Sequence, residues 1–304
     1  MTLTASSLGV RRSYLFVPGD DARKIGKALI SGADAVVLDL EDAVAPERKA
    51  VAREVIRAAL PDFVTSHVAC VVRIGAQDGA WRDDLEAVVR PGLHAVRVPK
   101  VQGAEDVLRV AQVLASLEAA AGLTPGTVRL QCTIESAVGV LRSEQIAGAD
   151  RRIEALVFGH ADFAADIGVT VTDAGTESLM ARSWLVLCSR SAGIGGPLDG
   201  AFTALGDEEG LRRSVALART LGFCGKSAIH PRQVAVINAG FSPTEAEIEA
   251  ATEQLAAFEA ALKLGVAVAK TTGGQFVDEA VAKRARTVLA LARSVAGETR
   301  EEPR

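Results

Sequence analysis

The sequence has few cysteines, and none of them lies in a pattern that would bind zinc. Cys70, Cys132, Cys188 and Cys224 are far apart and lie in apolar stretches, with no Cys-x-x-Cys pair and no cysteine–histidine cluster. Zinc sites and redox motifs place their ligands at short, characteristic spacings. We therefore expect four reduced, buried cysteines that pack as small hydrophobic side chains.

Long uncharged apolar runs and an excess of basic residues are missing as well. No apolar run reaches the roughly 18 residues of a membrane span, and the first residues lack the apolar core of a signal peptide. We therefore expect no membrane segment and a cytoplasmic protein. The formal net charge is −4, whereas nucleic-acid backbones are bound by basic surfaces. Small-molecule or protein partners are favoured over nucleic acid.

Glycine-rich phosphate-binding loops are also absent. No β-rich run is followed by Gly-x-Gly-x-x-Gly, and the chain contains no Gly-x-x-x-x-Gly-Lys-Ser/Thr. These motifs hold the phosphates of dinucleotides and nucleoside triphosphates at the start of a helix. Their absence argues against binding of a dinucleotide or a nucleoside triphosphate.

Eight short β-rich runs are present, each followed by a stretch with helical spacing of apolar residues. The runs are apolar throughout, which is typical of parallel strands covered on both faces. They are Tyr14–Pro18, Ala35–Leu40, Ala69–Ile74, Ala95–Pro99, Val128–Glu135, Ala155–Gly159, a poorly defined seventh near Gly193–Leu198, and Lys226–His230. This alternation predicts an α/β fold, a (β/α)₈ TIM barrel over residues 11–240, with an open doubly wound sheet as the alternative.

Beyond the predicted barrel the pattern changes to helices. Thr244–Leu264 and Glu279–Val295 have helical spacing, and the glycine-rich stretch Lys270–Gln275 lies between them. Because glycine pairs and small polar residues cannot hold a rigid element, we predict a hinge or lid there. Residues 241–296 are thus predicted as a C-terminal helical and lid extension of the same domain, and residues 297–304 as a disordered tail.

Charged residues follow several predicted strands, at the end where barrel enzymes place their active sites. Glu135 and Asp162 follow neighbouring strands, which would bring two carboxylates to the same rim. Such carboxylates repel unless a proton or a cation lies between them, and Mg²⁺ accepts one or two of them together with waters and substrate oxygens. We predict a Mg²⁺ site there. The alternative is that Glu135 caps the next helix and Asp162 pairs with an arginine.

A third strand end carries an arginine near an acidic set. Asp39, Glu41 and Asp42 lie at the end of the second predicted strand, and the third carries Arg73. Arg73 is predicted either to pair with these carboxylates or to hold a substrate carboxylate with its two-pronged guanidinium. We favour the second role.

Three further basic residues lie near the same rim. Arg23 and Lys27 are four residues apart on the helix predicted after the first strand, so they share a face. This face is either a solvated surface or a phosphate-binding site. His230 stands alone beside a proline, which is more typical of a structural residue than of a ligand.

Six segments of the chain, taken together in their order and spacing, form a specific pattern. They are Arg12–Gly19, Val37–Val44, Val98–Lys100, Ile134–Ser136, Phe158–Gly168 and Gly222–Gln233. Together they resemble the citrate lyase β-subunit-like family, that is, the HpcH/HpaI aldolase/citrate lyase family of the phosphoenolpyruvate/pyruvate barrel superfamily. The resemblance runs from about residue 11 to residue 292.

The resemblance implies roles for individual residues. Glu135 and Asp162 would bind Mg²⁺, and Arg73, with Glu135, would bind the oxo-acid part of the substrate. The residues on the side of the coenzyme A or acyl-carrier part would be Phe16, Arg23, Lys27, Ile229 and His230.

A C-terminal lid is also part of the resemblance. Gly273–Asp278 looks like the family's lid segment, whose aspartate transfers a proton, often in the site of a neighbouring subunit. This makes Asp278 the acid/base candidate and implies a homotrimer, or a hexamer, of the same chain. The sequence departs from the family pattern at Gly75, where asparagine is expected, and at Glu279 and Ala280 in the lid. The first departure alters the wall beside the oxo acid.

The resemblance predicts a Mg²⁺-dependent carbon–carbon lyase. Its substrate would be a malyl-, citramalyl- or citryl-type β-hydroxyacyl thioester, cleaved to an acyl thioester and a 2-oxo acid. The alternatives are a thioesterase or synthase acting on the same thioesters, a metal-dependent aldolase acting on free hydroxy-oxo acids, and a subunit that depends on an acyl-carrier protein. Lys100 is expected to act electrostatically or structurally, since this chemistry needs no Schiff base.

Overall fold

The larger part of the chain is a closed barrel of eight parallel strands, in which each strand pairs with the next and the first pairs with the eighth. The computed structural model describes residues 10–76 and 80–297. The strands are β1 (Ser13–Pro18), β2 (Ala35–Asp39), β3 (Ala69–Arg73), β4 (Leu93–Val98), β5 (Arg129–Ile134), β6 (Ile153–Phe158), β7 (Leu198–Asp199) and β8 (Gly225–Ala228). The predicted (β/α)₈ barrel is confirmed.

Helices connect the strands and continue beyond them. Those from the first strand to the end of the barrel are α1 (Ala22–Leu29), α2 (Lys49–Val64), α3 (Ala80–Val88), α4 (Ala104–Ala120), α5 (Ala137–Leu141), α6 (Ser143–Ala147), α7 (His160–Ile167), α8 (Leu179–Ser191), α9 (Glu208–Leu221) and α10 (Arg232–Phe241). The C-terminal pair is α11 (Glu245–Lys263) and α12 (Glu279–Val295). None of the helices in the described ranges combines the length and apolarity needed to cross a membrane.

The barrel interior is packed by side chains that alternate along the strands. Tyr14, Val37, Val71 and Val157 form one buried cluster there with their neighbours. Burial of each such side chain contributes roughly 1.5–3 kcal/mol of stability. This packed interior holds the strand ends in fixed positions, which is the requirement for a site built on them.

An ion pair below the site anchors the start of β5. Glu118 on α4 is 0% exposed and accepts hydrogen bonds from both Nη atoms of Arg152, at 2.8 and 2.7 Å. Its oxygens also accept from the backbone N–H groups of Gly126 and Val128, at 2.9 and 2.7 Å. Burial alone would raise the pKa of Glu118, but these bonds outweigh it and lower the pKa.

We expect Glu118→Gln to lower the free energy of unfolding by about 3–5 kcal/mol near neutral pH, because Arg152 would stay buried without its counter-charge. Because the pKa of Glu118 is lowered in the folded state, its carboxylate stabilises the fold fully at pH values above its ordinary pKa of about 4.5. That contribution is lost as the pH falls through the folded-state value. Urea unfolding of the unmodified and Glu118→Gln proteins at pH 7 and pH 4 measures the difference in their free energies of unfolding. A difference that is larger at pH 4 than at pH 7 would contradict the prediction.

The C-terminal residues form a second compact unit. The chain divides into residues 11–238 and residues 239–297 with Val10, close to the predicted boundary at 240. In the second unit, β9 (Ala269–Lys270) pairs antiparallel with β10 (Phe276–Val277). Phe258, Val277 and Ala282 form its apolar core.

The predicted lid coincides with the turn between these two strands. Thr271 N donates to Gln275 O at 3.0 Å, and Gly274 has φ 79°, a left-handed conformation that glycine adopts without strain. Helix α12 has the predicted bounds. Of the predicted tail, residues 298–304 lie outside the described residues.

Candidate metal and substrate site

A cleft of about 700 Å³ opens at the carboxyl ends of β4, β5 and β6. Its lining includes Glu135 and Asp162 and, beside them, Lys100, Ser136 and Asp166. The register aligns Ile134 of β5 with Phe158 of β6, so the residues that follow each strand meet at the same height. The structure therefore brings the two predicted metal ligands to one cleft.

Glu135 is held in place by the backbone of the neighbouring strand end. Its side chain is 7% exposed, and Oε1 accepts a hydrogen bond from Lys100 N at 2.6 Å. Lys100 has φ 52°, the one positive φ of a non-glycine residue in the described ranges. Such strain is uncommon and persists where the surroundings require it. Here it accompanies the amide that fixes the carboxylate.

Gly159 leaves the space that the Glu135 carboxylate occupies. A Cβ at position 159 would lie 2.4 Å from Glu135 Oε2 and 2.5 Å from Glu135 Cβ. These distances are shorter than any non-bonded contact that packing allows. Glycine is therefore needed directly after β6 because of a contact across the sheet, and not because of its own φ.

We expect Gly159→Ala to weaken Mg²⁺ binding by about 10- to 100-fold, because the added methyl group displaces the Glu135 carboxylate. Calorimetric titration with Mg²⁺ measures this. Gly148→Ala is the matched control, since the one described atom that a Cβ there would meet is Glu144 O, at 3.6 Å. Equal affinities for all three proteins would show that the close contact has no part in metal binding.

Asp162 lies in the first turn of α7 and is exposed to the cleft. The structure does not contain the alternative arrangement, in which Glu135 caps the next helix and Asp162 pairs with an arginine. Ser136, rather than Glu135, caps α5, with Oγ accepting from Gly139 N at 3.1 Å. Over the described ranges no ion pair involves Asp162. Both carboxylates thus keep oxygens free for a cation.

The electrostatics of Glu135 fit a bound cation. Burial and the nearby Asp162 raise the pKa of Glu135 to about 7, against the lowering effect of the Lys100 amide. A buried carboxylate with a raised pKa gains from a proton or a metal ion. In the part of the chain that the structure describes, no three His, Cys, Asp or Glu side chains form a metal cluster. Two carboxylates with water and substrate oxygens suit Mg²⁺, and the residues present fit that ion.

Arg73 lies with the acidic set, which was the role we did not favour. Its Nε and Nη2 donate to the two oxygens of Asp39 at 2.7 and 2.6 Å. Its Nη1 lies 2.9 Å from Glu41 and 3.4 Å from Asp42. Burial alone would raise the pKa of Asp39, but the Arg73 bonds lower it. Binding of a substrate carboxylate by Arg73 stays a prediction.

A chain of contacts connects Arg73 to the cleft. Glu41 lies 3.3 Å from Lys100 Nζ, and Lys100 in turn donates its backbone N–H to Glu135. Burial raises the pKa of Glu41 in spite of Arg73. Lys100 is thus an electrostatic and structural residue here, as expected.

The residues predicted for the thioester side lie outside the cleft. Within the described ranges, its lining includes none of Phe16, Arg23, Lys27, Ile229 and His230. Arg23 and Lys27 are exposed on α1, without a hydrogen bond or ion pair to a described residue. Phe16 faces the barrel interior, with the guanidinium carbons of Arg73 and Arg97 at 5.0 and 5.3 Å from its ring centroid.

The turn after β8 is shaped by a residue that we did not predict. Gln233 Oε1 accepts from the N–H groups of Ile229 and His230, at 2.9 and 3.3 Å, and its Nε2 donates to Phe202 O at 2.7 Å. His230 Nδ1 lies 3.2 Å from Arg232 N. Its side chain therefore has a structural contact, in line with the role typical of a lone histidine.

Asp278 caps a helix in the second unit. It precedes α12 and accepts a hydrogen bond from Val281 N at 2.9 Å. Asp278 is half-buried at the end of β10. Its predicted role in proton transfer is not tested by this contact.

A buried arginine was also missed. Arg97 on β4 is 1% exposed, and its Nε and Nη2 donate to Gln131 Oε1 at 2.9 and 2.8 Å. Alternation along β4 puts position 97 on the same face as the interior residue Ala95. The sequence pattern therefore indicates that Arg97 faces the barrel interior.

Comparison with known proteins shows which family the chain belongs to. The model of the HpcH/HpaI aldolase/citrate lyase family matches residues 12–231. The chain belongs to this family. Two further matches are to whole chains. Citrate lyase subunit beta of Escherichia coli K12 is 38% identical over 283 residues, with 93% of each chain covered. The (3S)-malyl-CoA thioesterase of Cereibacter sphaeroides is 38% identical over 288 residues, with 94% of this chain and 95% of that protein covered.

Solved structures of the family have the same fold. The protein CitE from Mycobacterium tuberculosis, in complex with magnesium, acetoacetate and coenzyme A, superposes with a TM-score of 0.73 at 28% identity. The match covers 94% of this chain and 99% of that one. RipC from Yersinia pestis matches at 31% identity with a TM-score of 0.65, covering 78% of this chain and 98% of RipC. The predicted family membership is confirmed.

Proposed function

We propose that the protein is a Mg²⁺-dependent carbon–carbon lyase that cleaves a β-hydroxyacyl thioester into an acyl thioester and a 2-oxo acid. The observation that carries the proposal is the buried Glu135 beside Asp162 in a cleft at the barrel rim. The family supports it, because the CitE protein of the same family was solved with magnesium, acetoacetate and coenzyme A. Malyl-, citramalyl- and citryl-type thioesters are the candidate substrates.

The reaction breaks one carbon–carbon bond. The hydroxyl group of the substrate loses its proton and becomes the oxo group of the 2-oxo acid, while the thioester α-carbon receives a proton. Glu135 and Asp162 would hold Mg²⁺, which would supply Lewis-acid stabilisation of the negative charge that develops on the oxo-acid oxygen. Lys100 fixes Glu135 through its amide, and Gly159 leaves room for the carboxylate.

Arg73 would hold the carboxylate of the oxo acid. Asp39 occupies its Nε and Nη2, which fixes the guanidinium and leaves Nη1 toward Glu41 and Asp42. The Asp42 side chain is 63% exposed, so its ion pair contributes little and can be exchanged for a substrate carboxylate. Because Asp39 already takes the bidentate contact, Nη1 would donate a single charge-assisted hydrogen bond to the substrate carboxylate.

Asp278 would transfer the proton at the thioester α-carbon. It lies after a turn that contains two glycines, which suits a segment that closes over a substrate. Closure would exclude water, so that the enolate is protonated by Asp278 and the thioester is not hydrolysed. We place this segment over the site of a neighbouring copy in a homo-oligomer, a trimer or a hexamer.

The Arg23 and Lys27 pair is expected to bind the phosphates of the coenzyme A part. We expect Arg23→Ala with Lys27→Ala to raise the KM for a coenzyme A thioester by about tenfold or more, because two charge-assisted contacts are lost. The matching pantetheine thioester, which lacks the nucleotide phosphates, is the control and should show little change. An equal effect on both thioesters, or on neither, would contradict phosphate binding by α1.

A thioesterase is the second candidate, because a (3S)-malyl-CoA thioesterase is as similar as a citrate lyase β subunit. In that reaction water attacks the thioester and the hydroxy acid is released intact. A subunit that needs an acyl-carrier protein is another of the alternatives. Product analysis separates the lyase from the thioesterase: the lyase yields a 2-oxo acid, and the thioesterase yields free hydroxy acid and thiol. Activity of the purified chain on coenzyme A thioesters would exclude dependence on a carrier.

A further inference from the structure

The cleft extends well beyond the two metal ligands. Its far wall is made by Trp81 and Arg82 at the start of α3 and by Arg109 and Val110 on α4. Its volume of about 700 Å³ compares with the roughly 30 Å³ that one water molecule occupies in the liquid. A hydrated metal ion and a three-carbon oxo acid would fill only part of it. Because Glu135 and Asp162, which would hold the metal ion and with it the oxo acid, line this cleft, we assign the extension to the oxo-acid side.

Gly75 lines the same cleft as the metal ligands and the far wall. It follows β3, and among the described residues a Cβ there would touch only Asp84 Oδ2, at 3.5 Å. The backbone is fixed, because Gly75 N donates to Asp84 Oδ2 at 2.9 Å, and Asp84 pairs with Arg53 at 2.7 Å. A larger side chain at this position would therefore project into space that is now part of the cleft.

At the far wall lies a cation that has no ion-pair partner among the described residues. The Arg82 guanidinium stacks on the Trp81 ring, 4.2 Å from its centroid, and makes no hydrogen bond or ion pair with any residue in the described ranges. Arg109, by contrast, pairs with Asp106, whose other oxygen accepts from Gln102 N and Gly103 N. Arg82 is thus the group that is oriented by an aromatic ring and available to an anion.

We propose that this extension binds the second carboxylate of a 2-oxo dicarboxylic acid whose chain is longer than that of oxaloacetate, with Arg82 as the binding residue and Gly75 as the residue that admits the chain. The inference rests on the proposed function and names the substrate class of that site. In the condensation direction, the thioester α-carbon loses a proton and bonds to C2 of the oxo acid, whose oxo oxygen gains a proton. The second carboxylate is unchanged and only binds Arg82.

Binding can be measured without turnover through Trp81. The chain has two tryptophans, and the other, Trp184, lies on α8 outside the cleft, so Trp184→Phe leaves Trp81 as the reporter. Titrations in saturating Mg²⁺ with 2-oxoglutarate, oxaloacetate and pyruvate give the three dissociation constants. We expect 2-oxoglutarate to bind about tenfold tighter than the other two, because of one added charge-assisted contact. Calorimetry repeats the measurement without the reporter.

The variants test the assignment of residues. Arg82→Ala and Gly75→Asn should each abolish the preference for 2-oxoglutarate over pyruvate. Arg90→Ala should keep it, because Arg90 is exposed just after α3 and, within the described part of the chain, bonds only to Ala87 O and Glu86 O. The subsite proposal fails if the Arg82→Ala protein keeps the preference for 2-oxoglutarate. It also fails if the unmodified protein binds pyruvate but shows no such preference. Neither result contradicts the proposed function. If none of the three acids binds in Mg²⁺, the proposed function fails as well.

Discussion

Glu135→Gln is expected to lower kcat/KM by about a thousandfold and to abolish measurable Mg²⁺ binding. Glutamine has the shape of glutamate, so its Oε1 can still accept the Lys100 amide, and Gly159 still leaves room for it. What is lost is the charge that holds the cation. Lewis-acid stabilisation contributes several kcal/mol to such a transition state, and each 1.36 kcal/mol changes the rate about tenfold.

Asp166→Asn is the matched control for this variant. Asp166 lines the same cleft, but its Oδ2 accepts from Ala137 N at 2.7 Å, a bond that asparagine can retain. Its Mg²⁺ affinity should fall far less than that of Glu135→Gln. Calorimetric titration compares the three proteins directly. Equal Mg²⁺ binding by the Glu135→Gln and unmodified proteins would remove Glu135 as a ligand.

Asp278→Asn is expected to reduce the rate by about 10²–10⁴-fold while leaving the stability unchanged. Asparagine caps a helix as well as aspartate does, so the bond from Val281 N to position 278 is kept. It cannot transfer a proton at the α-carbon. The rate and the urea unfolding curve, measured on the same preparation, separate the chemical role from the structural one.

Two comparisons make this result specific. Asp207→Asn changes another helix cap of the same geometry, in which Asp207 accepts from Gly210 N at 2.7 Å, and it should alter neither quantity. If the lid acts on a neighbouring copy, mixed oligomers of the Asp278→Asn and Glu135→Gln chains should regain activity, because some sites then combine an intact lid with an intact metal site. A normal rate for Asp278→Asn would remove it as the proton-transfer residue.

The barrel itself could be predicted because its strands are buried on both faces. Val36, Val37 and Leu38 of β2 are 0% exposed, and the continuous apolar run in the sequence reflects that burial. The seventh strand was poorly defined for a physical reason. It has two residues, Leu198–Asp199, and follows glycines and a proline that favour no regular strand.

The pairing of Glu135 and Asp162 was predictable, whereas the contacts that organise them were not. Adjacent parallel strands bring their ends together, so position along the chain was enough to place both carboxylates at one rim. The positive φ of Lys100 and the need for glycine at position 159 arise from approaches between strands that are far apart in sequence. No local pattern records such distances.

Arg73 shows the limit of reasoning from residue types. An arginine at a strand end is suited both to a protein carboxylate and to a substrate carboxylate, and the sequence does not rank the two. The structure supplies Asp39 at 2.6 Å, because register aligns Asp39 of β2 with Arg73 of β3. A register-based prediction would have found this pair.

The most direct test of the account is the release of a 2-oxo acid from a thioester. The purified protein is incubated with malyl-, citramalyl- and citryl-coenzyme A in Mg²⁺, and the 2-oxo acid and the acyl thioester are quantified together. We predict equal amounts of both products from at least one substrate, and loss of both when Mg²⁺ is removed by a chelator. No 2-oxo acid from any of the three in the presence of Mg²⁺, with or without release of free thiol, would contradict a carbon–carbon lyase.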